Sequence, residues 1–424
     1  NQHPLAPKKF LFVSHESLSG DLAWAVKKEG HQVKVFVRSK DDADVYEGFL
    51  DRVESWEAQK EWADVVVFDD VEFGDIADRL RATGKLVVGG SSYTDWLEMD
   101  REFGQAEMLR LGMLVLPHFD FDNFEAGIAF LRANPGRYVW KPSGNTPSDM
   151  KGLLFLGTEE DGKDIIEILE HNKTAWGKKI KNFQLQKFVS GVEIAVGAFW
   201  SGEDFIYPIN VNFEHKKLFP GDIGPYTGEM GTLMYWSAPN TIFNLTLAKM
   251  KDELKKCGYV GYIDINCIAN ARGVYPLEFT CRFGYPTISI QMEGIQSPVG
   301  DFLFALAARK PCELKTKRGF QIGAIIAVPP FPYDDKRETA IYKDLSILFK
   351  KQNLEGVHLG DVKFVDNDWR LAGESGYALV VTGSGTTVFE ARQQMNNRIS
   401  NIMLQNMFYR TDIGLRWETD SDKL

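Results

Sequence analysis

Several patterns that would signal a specific class of protein are scarce or missing in this 424-residue chain. There are only four cysteines (Cys257, Cys267, Cys281 and Cys312), with no Cys-x-x-Cys pair and no histidine companion at zinc spacing. That argues against both a structural zinc and a disulfide framework. The seven histidines are scattered. Basic residues number 49 against 59 acidic ones, giving a net charge of −10. A duplex-binding protein needs a basic stripe to neutralise phosphates, and short pairs such as Lys8-Lys9 and Lys216-Lys217 do not make one. Direct binding of duplex nucleic acid is therefore not expected. No apolar run of about 18 residues occurs, so no membrane-crossing helix is expected. The polar start, Asn1 to Lys9, runs straight into Phe10-Leu11-Phe12-Val13 and is unlike a signal peptide. The cytoplasm is the expected compartment, and the expected oligomeric state is a monomer or homodimer.

What is present suggests two to four domains with substantial cores, at about 100–200 residues per domain. Phe10–Val13, Gln32–Val37, Val65–Phe68 and Lys85–Val88 are short β-rich runs, separated by helical patterns at Asp21–Glu29 and Phe73–Ala82. Strands alternating with helices predict a doubly wound parallel sheet over residues 1–94. Asp95–Leu111 reads as one helix ended by Gly112, and Phe124–Ala133 as another. A small α+β unit is expected over 137–198, with strands at Tyr138–Trp140, Leu153–Leu156, Gln184–Lys187 and Glu193–Trp200 and a helix at Lys163–Glu170. Central strands are expected at Tyr207–Asn212 and Tyr262–Ile268, with an amphipathic helix Phe243–Cys257 between them. A last region opens at Gly319–Val328, with a strand at Tyr377–Val381 and a helix at Thr387–Met395. No internal repeat or low-complexity tract is found.

Three stretches carry the chemistry. Tyr262-Ile263-Asp264-Ile265, a turn at Asn270–Gly273, and Pro276–Arg282 read as a hairpin in which Asp264, Glu278 and Thr280 form a cage of hard oxygens. Magnesium favours such ligands when it bridges nucleotide phosphates; an exposed acidic sheet face is the plainer alternative. Gly224-Pro225-Tyr226-Thr227-Gly228-Glu229-Met230-Gly231-Thr232 places three glycines where backbone N–H groups could approach an anion, although a surface turn accounts for the same pattern. Lys141 and Lys151 flank a polar loop and suit a clamp on nucleotide phosphates. Snorkelling surface lysines are the alternative.

In this order the pieces resemble the phosphoribosylamine–glycine ligases (glycinamide ribonucleotide synthetases) of the ATP-grasp superfamily. The resemblance rests on His215-Lys216-Lys217, Gly224–Gly231, Ser237-Ala238-Pro239, Leu277–Pro286 and the closing Thr411–Arg416. It implies an α/β fold with four parts: a doubly wound N-terminal domain (1–94), a central ATP-grasp domain (95–136 and 199–318), a lid (137–198) and a C-terminal α+β domain (319–424). It also implies ATP with magnesium or manganese. Lys141, Lys151 and Arg101 are then expected on the phosphates, with Lys216 also at the nucleotide. Gln186, Lys187 and Phe188 would lie at the adenine hinge, Glu193 at the ribose, and Asp264, Glu278 and Thr280 at the metal. Arg282 is expected to hold the substrate carboxylate, with the Gly228–Gly231 backbone over an acyl phosphate and Lys151 assisting.

The sequence departs from the family at the amine end. The family's glycine-rich turn after the first strand, which binds the phosphate of phosphoribosylamine, is Ser14-His15-Glu16-Ser17-Leu18-Ser19-Gly20 here, and Tyr285-Pro286-Thr287 replaces Asp-Pro-Glu. The expected activity is ATP-dependent amide formation through an acyl phosphate, from glycine or another small amino acid and a changed amine. An orthodox phosphoribosylamine–glycine ligase and an ATP-binding protein without turnover remain alternatives.

Overall fold

A computed structural model describes residues 5–144, 146, 150 and 152–423. Three sheets organise it. The first is parallel and five-stranded, ordered Asp51–Arg52, Gln32–Val37, Lys9–Ser14, Val65–Phe68 and Leu86–Val88. Its inner strands are almost wholly apolar because helices cover both faces of a parallel sheet; all four residues of Val65–Phe68 are buried. The helices Gly20–Lys28 and Gly74–Ala82 match expectation to within a residue.

The second sheet has four antiparallel strands, ordered His118–Phe121, Asn182–Lys187, Tyr138–Ser143 and Phe155–Leu156. Phe124–Ala133 and Lys163–Trp176 pack on it around Trp140 and Phe183, with Trp140 stacked on Trp176 at 5.5 Å between centroids. This small unit begins earlier than the sequence suggested. It also ends sooner, because Val192–Trp200 leaves it for the large sheet.

The third sheet is antiparallel and eight-stranded. Its order is Gly273–Thr280, Gly261–Asn270, Val192–Trp200, Phe205–Phe219, Ile223–Ser237, Phe320–Ala327, Tyr377–Gly385 and Val357–Leu359. It runs across the boundary expected at residue 319, since Phe320–Ala327 pairs with both Ile223–Ser237 and Tyr377–Gly385.

Two expected helices are broken. Asp95–Leu111 is two helices, Ser92–Met99 and Arg101–Arg110, because Asp100 adopts an extended conformation and its carboxylate caps the second helix at the Phe103 amide. Phe243–Cys257 is replaced by Thr241–Leu245, a 3₁₀ turn Leu247–Met250 and Lys251–Cys257. The Thr246 hydroxyl turns back to the Ile242 carbonyl, a local bond that competes with helix continuation. The glycine-rich stretch 224–232 is not a free turn but part of the strand Ile223–Ser237.

Candidate functional site

The central hairpin forms as expected. Asp264 stands opposite Thr280 and Asn266 opposite Glu278, so alternation puts all four on one face of adjacent strands. Room for Asp264 comes from the neighbouring strand, where Gly197 is its register partner. A Cβ at residue 197 would lie 2.7 Å from that of Asp264 and would also strike the Tyr262 hydroxyl. The Tyr262 hydroxyl donates to Asp264 Oδ2 at 3.1 Å and the Asn212 amide donates at 3.4 Å. Burial, followed by the charge of Glu214, pushes the Asp264 carboxyl up to about 7.

Across the cleft, the small sheet presents Lys141. Burial, then the charge of Arg101, lowers its ammonium to about 7. Arg101 Nη1 lies 3.8 Å from Glu278 Oε2. Lys216 Nζ lies 3.5 Å from Glu193, 3.7 Å from Glu214 and 3.9 Å from Glu278. Asn266 adds a hydrogen bond to Glu193 at 2.9 Å. Burial alone would raise the Glu278 carboxyl, but Lys216, Arg101 and Lys141 outweigh it and hold it below its ordinary value. Residues from positions 101, 141, 193, 216 and 278 therefore meet in one cleft between lid and large sheet. Such an arrangement of fixed cations and carboxylates suits a polyphosphate carrying a divalent cation.

Glu214 was missed by sequence reasoning, although a signal existed. In Phe205–Phe219, alternation places Glu214 on the same face as Asn212 and Lys216. The closing segment braces this strand: the Gly414 amide donates to His215 Nε2 at 3.3 Å and Arg416 donates to the Glu214 carbonyl at 2.7 Å. Burial, then the charge of Arg416, lowers His215 to about 3, so it is a neutral acceptor rather than a cation.

Beside the cleft a cavity of about 230 Å³ is lined by Arg101, Ser143, Thr146, Glu278, Thr280 and Arg282, among others. Arg282 is already engaged, by Glu98 at 3.2 Å and Asp70 at 3.4 Å; neither partner was foreseen. Magnesium usually takes one or two protein carboxylates and completes its shell with water and phosphate oxygens. Glu278, whose side chain is 46% exposed in this cavity, fits that requirement, with Thr280 and Asp264 as further hard oxygens on the same face. Among the described residues no three His, Cys, Asp or Glu side chains converge as a complete metal cage.

At the expected hinge, Gln186 is buried with its amide nitrogen unpaired, and Lys187 is exposed. The Phe188 amide donates to the Arg137 carbonyl at 3.0 Å, and the Arg137 guanidinium stacks 3.5 Å from the centroid of its ring. Lys151 lies outside the described residues. In the glycine-rich strand, the register jumps from Tyr226 opposite Lys217 to Gly231 opposite His215, so Thr227–Met230 bulge out against Lys216. A Cβ at Gly228 would meet open space. Gly231, by contrast, is paired on both sides, with His215 and Ala324, and its lack of a side chain admits Ile413. Its amide is thus taken up by the sheet, and only the Gly228 part of the expected anion-binding backbone is free of it.

Residues 100–288 match the family model described as the phosphoribosylglycinamide synthetase ATP-grasp (A) domain. The chain is 25% identical over 355 residues to the phosphoribosylamine–glycine ligase of Streptococcus pneumoniae, covering 82% of each. Among solved structures, phosphoribosylamine–glycine ligase from Thermotoga maritima superposes with a TM-score of 0.71 at 19% identity, covering 96% of this chain and 100% of that one. The biotin carboxylase domain of Hydrogenobacter thermophilus 2-oxoglutarate carboxylase, solved with MgADP, ADP and bicarbonate, superposes with a TM-score of 0.65 at 12% identity, covering 95% and 91%.

Proposed function

We propose, from the premise that the chain is an ATP-grasp protein similar to phosphoribosylamine–glycine ligases, that it joins a carboxylate to an amine at the expense of ATP. The observation that carries this reading is the meeting of Arg101, Lys141 and Lys216 with Glu193 and Glu278 between lid and large sheet. ATP lies in that cleft, with the hinge Gln186–Phe188 at the adenine and Glu193 at the ribose. A carboxylate oxygen of the substrate attacks the γ-phosphorus, the bond to the β-bridging oxygen breaks, and ADP leaves. Arg101, Lys141 and Lys216 offset the charge that spreads over the phosphoryl oxygens. Magnesium, when bound at Glu278, Thr280 and Asp264, supplies further neutralisation of those oxygens. Arg282 faces the same cavity as Glu278 and positions the carboxylate, its own geometry fixed by Glu98 and Asp70. The amine nitrogen then attacks the acyl carbon, phosphate leaves, and the amine proton is lost as the amide forms.

The names of the relatives favour phosphoribosylamine as the amine and glycine as the carboxylate. The residues at the acceptor end favour a different amine, because Glu16 stands in the turn after the first strand and Tyr285 and Thr287 follow Arg282. Release of ADP from a matrix of carboxylates and amines, glycine with phosphoribosylamine included, separates the two. An absence of ADP with every pair would instead favour nucleotide binding without turnover.

A further inference from the structure

Next to the phosphate end lies a cavity of about 400 Å³, walled by the turn at Glu16–Leu18, by Tyr285–Ser289, and by segments near Asp42, Phe331, Asp361 and Tyr377. Its lining contains seven carboxylates and, among the described residues, no lysine, arginine or histidine. Some of the seven are compensated: Asp21 meets His358 at 2.9 Å, and Glu374 lies 4.0 Å from Lys336. Asp361, nine-tenths buried, is held by the hydroxyls of Ser17, at 2.8 Å, and Ser375. Asp42 feels Arg52, which lies outside the lining, yet burial still raises its carboxyl, and it is near enough to both Asp361 and Glu16 to disfavour their ionisation. A second observation comes from the strand behind this wall. Glu229 is 6% exposed and its Oε1 has no partner. Burial, then Glu214, raises its carboxyl well above the ordinary value, and it lies near Tyr377 on the cavity side and Asp264 on the metal side.

The cavity adjoins the reaction centre. The Tyr285 hydroxyl donates to the Asp69 carbonyl at 2.8 Å, and the next residue, Asp70, pairs with Arg282. We propose, resting on the ligase reading above, that this cavity takes the amine acceptor and that the acceptor is an unphosphorylated organic polycation with two or more ammonium groups. Carboxylates in excess over their counter-charges gain most from a ligand that brings several positive charges, and Tyr285, Phe331, Tyr333 and Tyr377 add aromatic rings to the lining, groups that attract alkyl ammonium ions. A phosphate dianion would be desolvated here with no basic partner and repelled by the same carboxylates.

The test is calorimetric titration of the nucleotide-free full chain with spermidine and, separately, with ribose 5-phosphate, alongside titration with MgATP. Spermidine is expected to bind at least about tenfold more tightly than ribose 5-phosphate, and the double variant Glu16→Gln, Asp42→Asn to lose at least about tenfold of that affinity. Both positions are at least partly open to solvent, and retained MgATP binding shows that the variant is folded. Preference for ribose 5-phosphate, equal spermidine binding by the double variant, or no spermidine binding by the wild type would each overturn the proposal. Failure of the wild type to bind MgATP would instead strike the ligase reading, and the spermidine result would stand apart from it.

Discussion

In the cleft proposed for the nucleotide, Arg101, Lys141 and Lys216 stand among Glu193, Glu214 and Glu278, so each charge has an opposite within about 4 Å or feels one nearby. In the cavity beside it, Glu16, Asp42 and Asp361 lie close together, and among the described residues the lining holds no lysine, arginine or histidine. Both regions are recessed and share the eight-stranded sheet, to which the cleft adds the small four-stranded sheet and the cavity adds the turn after the first parallel strand. The difference lies in what each expects from outside. A mixed network can accept a metal–polyphosphate, whose own charges are mixed, with little change in local balance. A network of one sign is complete only with a ligand of the other sign, and until then it holds its carboxyls above their ordinary range.

This contrast fails most visibly if removal of a carboxylate has the same effect on both sides. Glu278→Gln should cut ADP formation by about 100-fold, because a metal-side charge and the counter-charge of two cations are lost together. Near-normal turnover in that variant, with its circular dichroism unchanged, would remove the metal assignment. Lys141→Ala should raise the KM for ATP by about tenfold with a smaller effect on kcat, as expected for loss of one charge-assisted contact to phosphate.

Stability sharpens the same comparison. The Asp361 carboxyl is raised to about 7, first by burial and then, against the help of Ser375, by Asp42. A carboxyl whose folded pKa exceeds its unfolded value costs nothing below about pH 4, and the cost grows with pH until the folded pKa is passed. Asp361→Asn should therefore stabilise the free protein by about 1 kcal/mol at pH 8 and leave it nearly unchanged at pH 4.5. Glu278→Gln leaves Arg101 and Lys216 short of a partner and should give no such gain. Denaturant unfolding of both variants at the two pH values decides the point.

The smallest expected effect is in protons. The Lys141 ammonium is lowered to about 7 by burial and Arg101, so at pH 8 much of it is uncharged. Phosphate oxygens favour the charged form, and MgATP binding at pH 8 should take up a fraction of a proton. Calorimetry in two buffers of different ionisation enthalpy reads this directly, and Lys141→Ala should abolish it.

Four strands of the parallel N-terminal sheet were legible as short apolar or alternating runs, whereas the two-residue edge strand Asp51–Arg52 carries no such signal. The Asp264–Glu278 hairpin was legible because alternation and one turn fix its faces. The break at Asp100 was not, since the one glycine of the helical pattern, Gly104, stands a turn beyond it and an aspartate there signals a cap only once the backbone leaves the helix. Three glycines hid the strand Ile223–Ser237 by suggesting a turn where a bulge sits inside a ladder. The carboxylates of the acid-lined cavity come from positions as far apart as 16, 42 and 361, and no local spacing announces their meeting. Glu98 and Asp70 escaped notice for the same reason: their role is to hold Arg282, which lies about 180 residues or more away in the chain.

The central claim is that a carboxylate is activated by direct attack on the γ-phosphate. It is tested most directly by incubating the protein with ATP, magnesium, an amine acceptor and a carboxylate substrate labelled with ¹⁸O in both oxygens, and then analysing the released phosphate by mass spectrometry. The account predicts one labelled oxygen in each phosphate formed, in step with ADP and amide. Unlabelled phosphate accompanying ADP, or release of AMP and pyrophosphate, would contradict it.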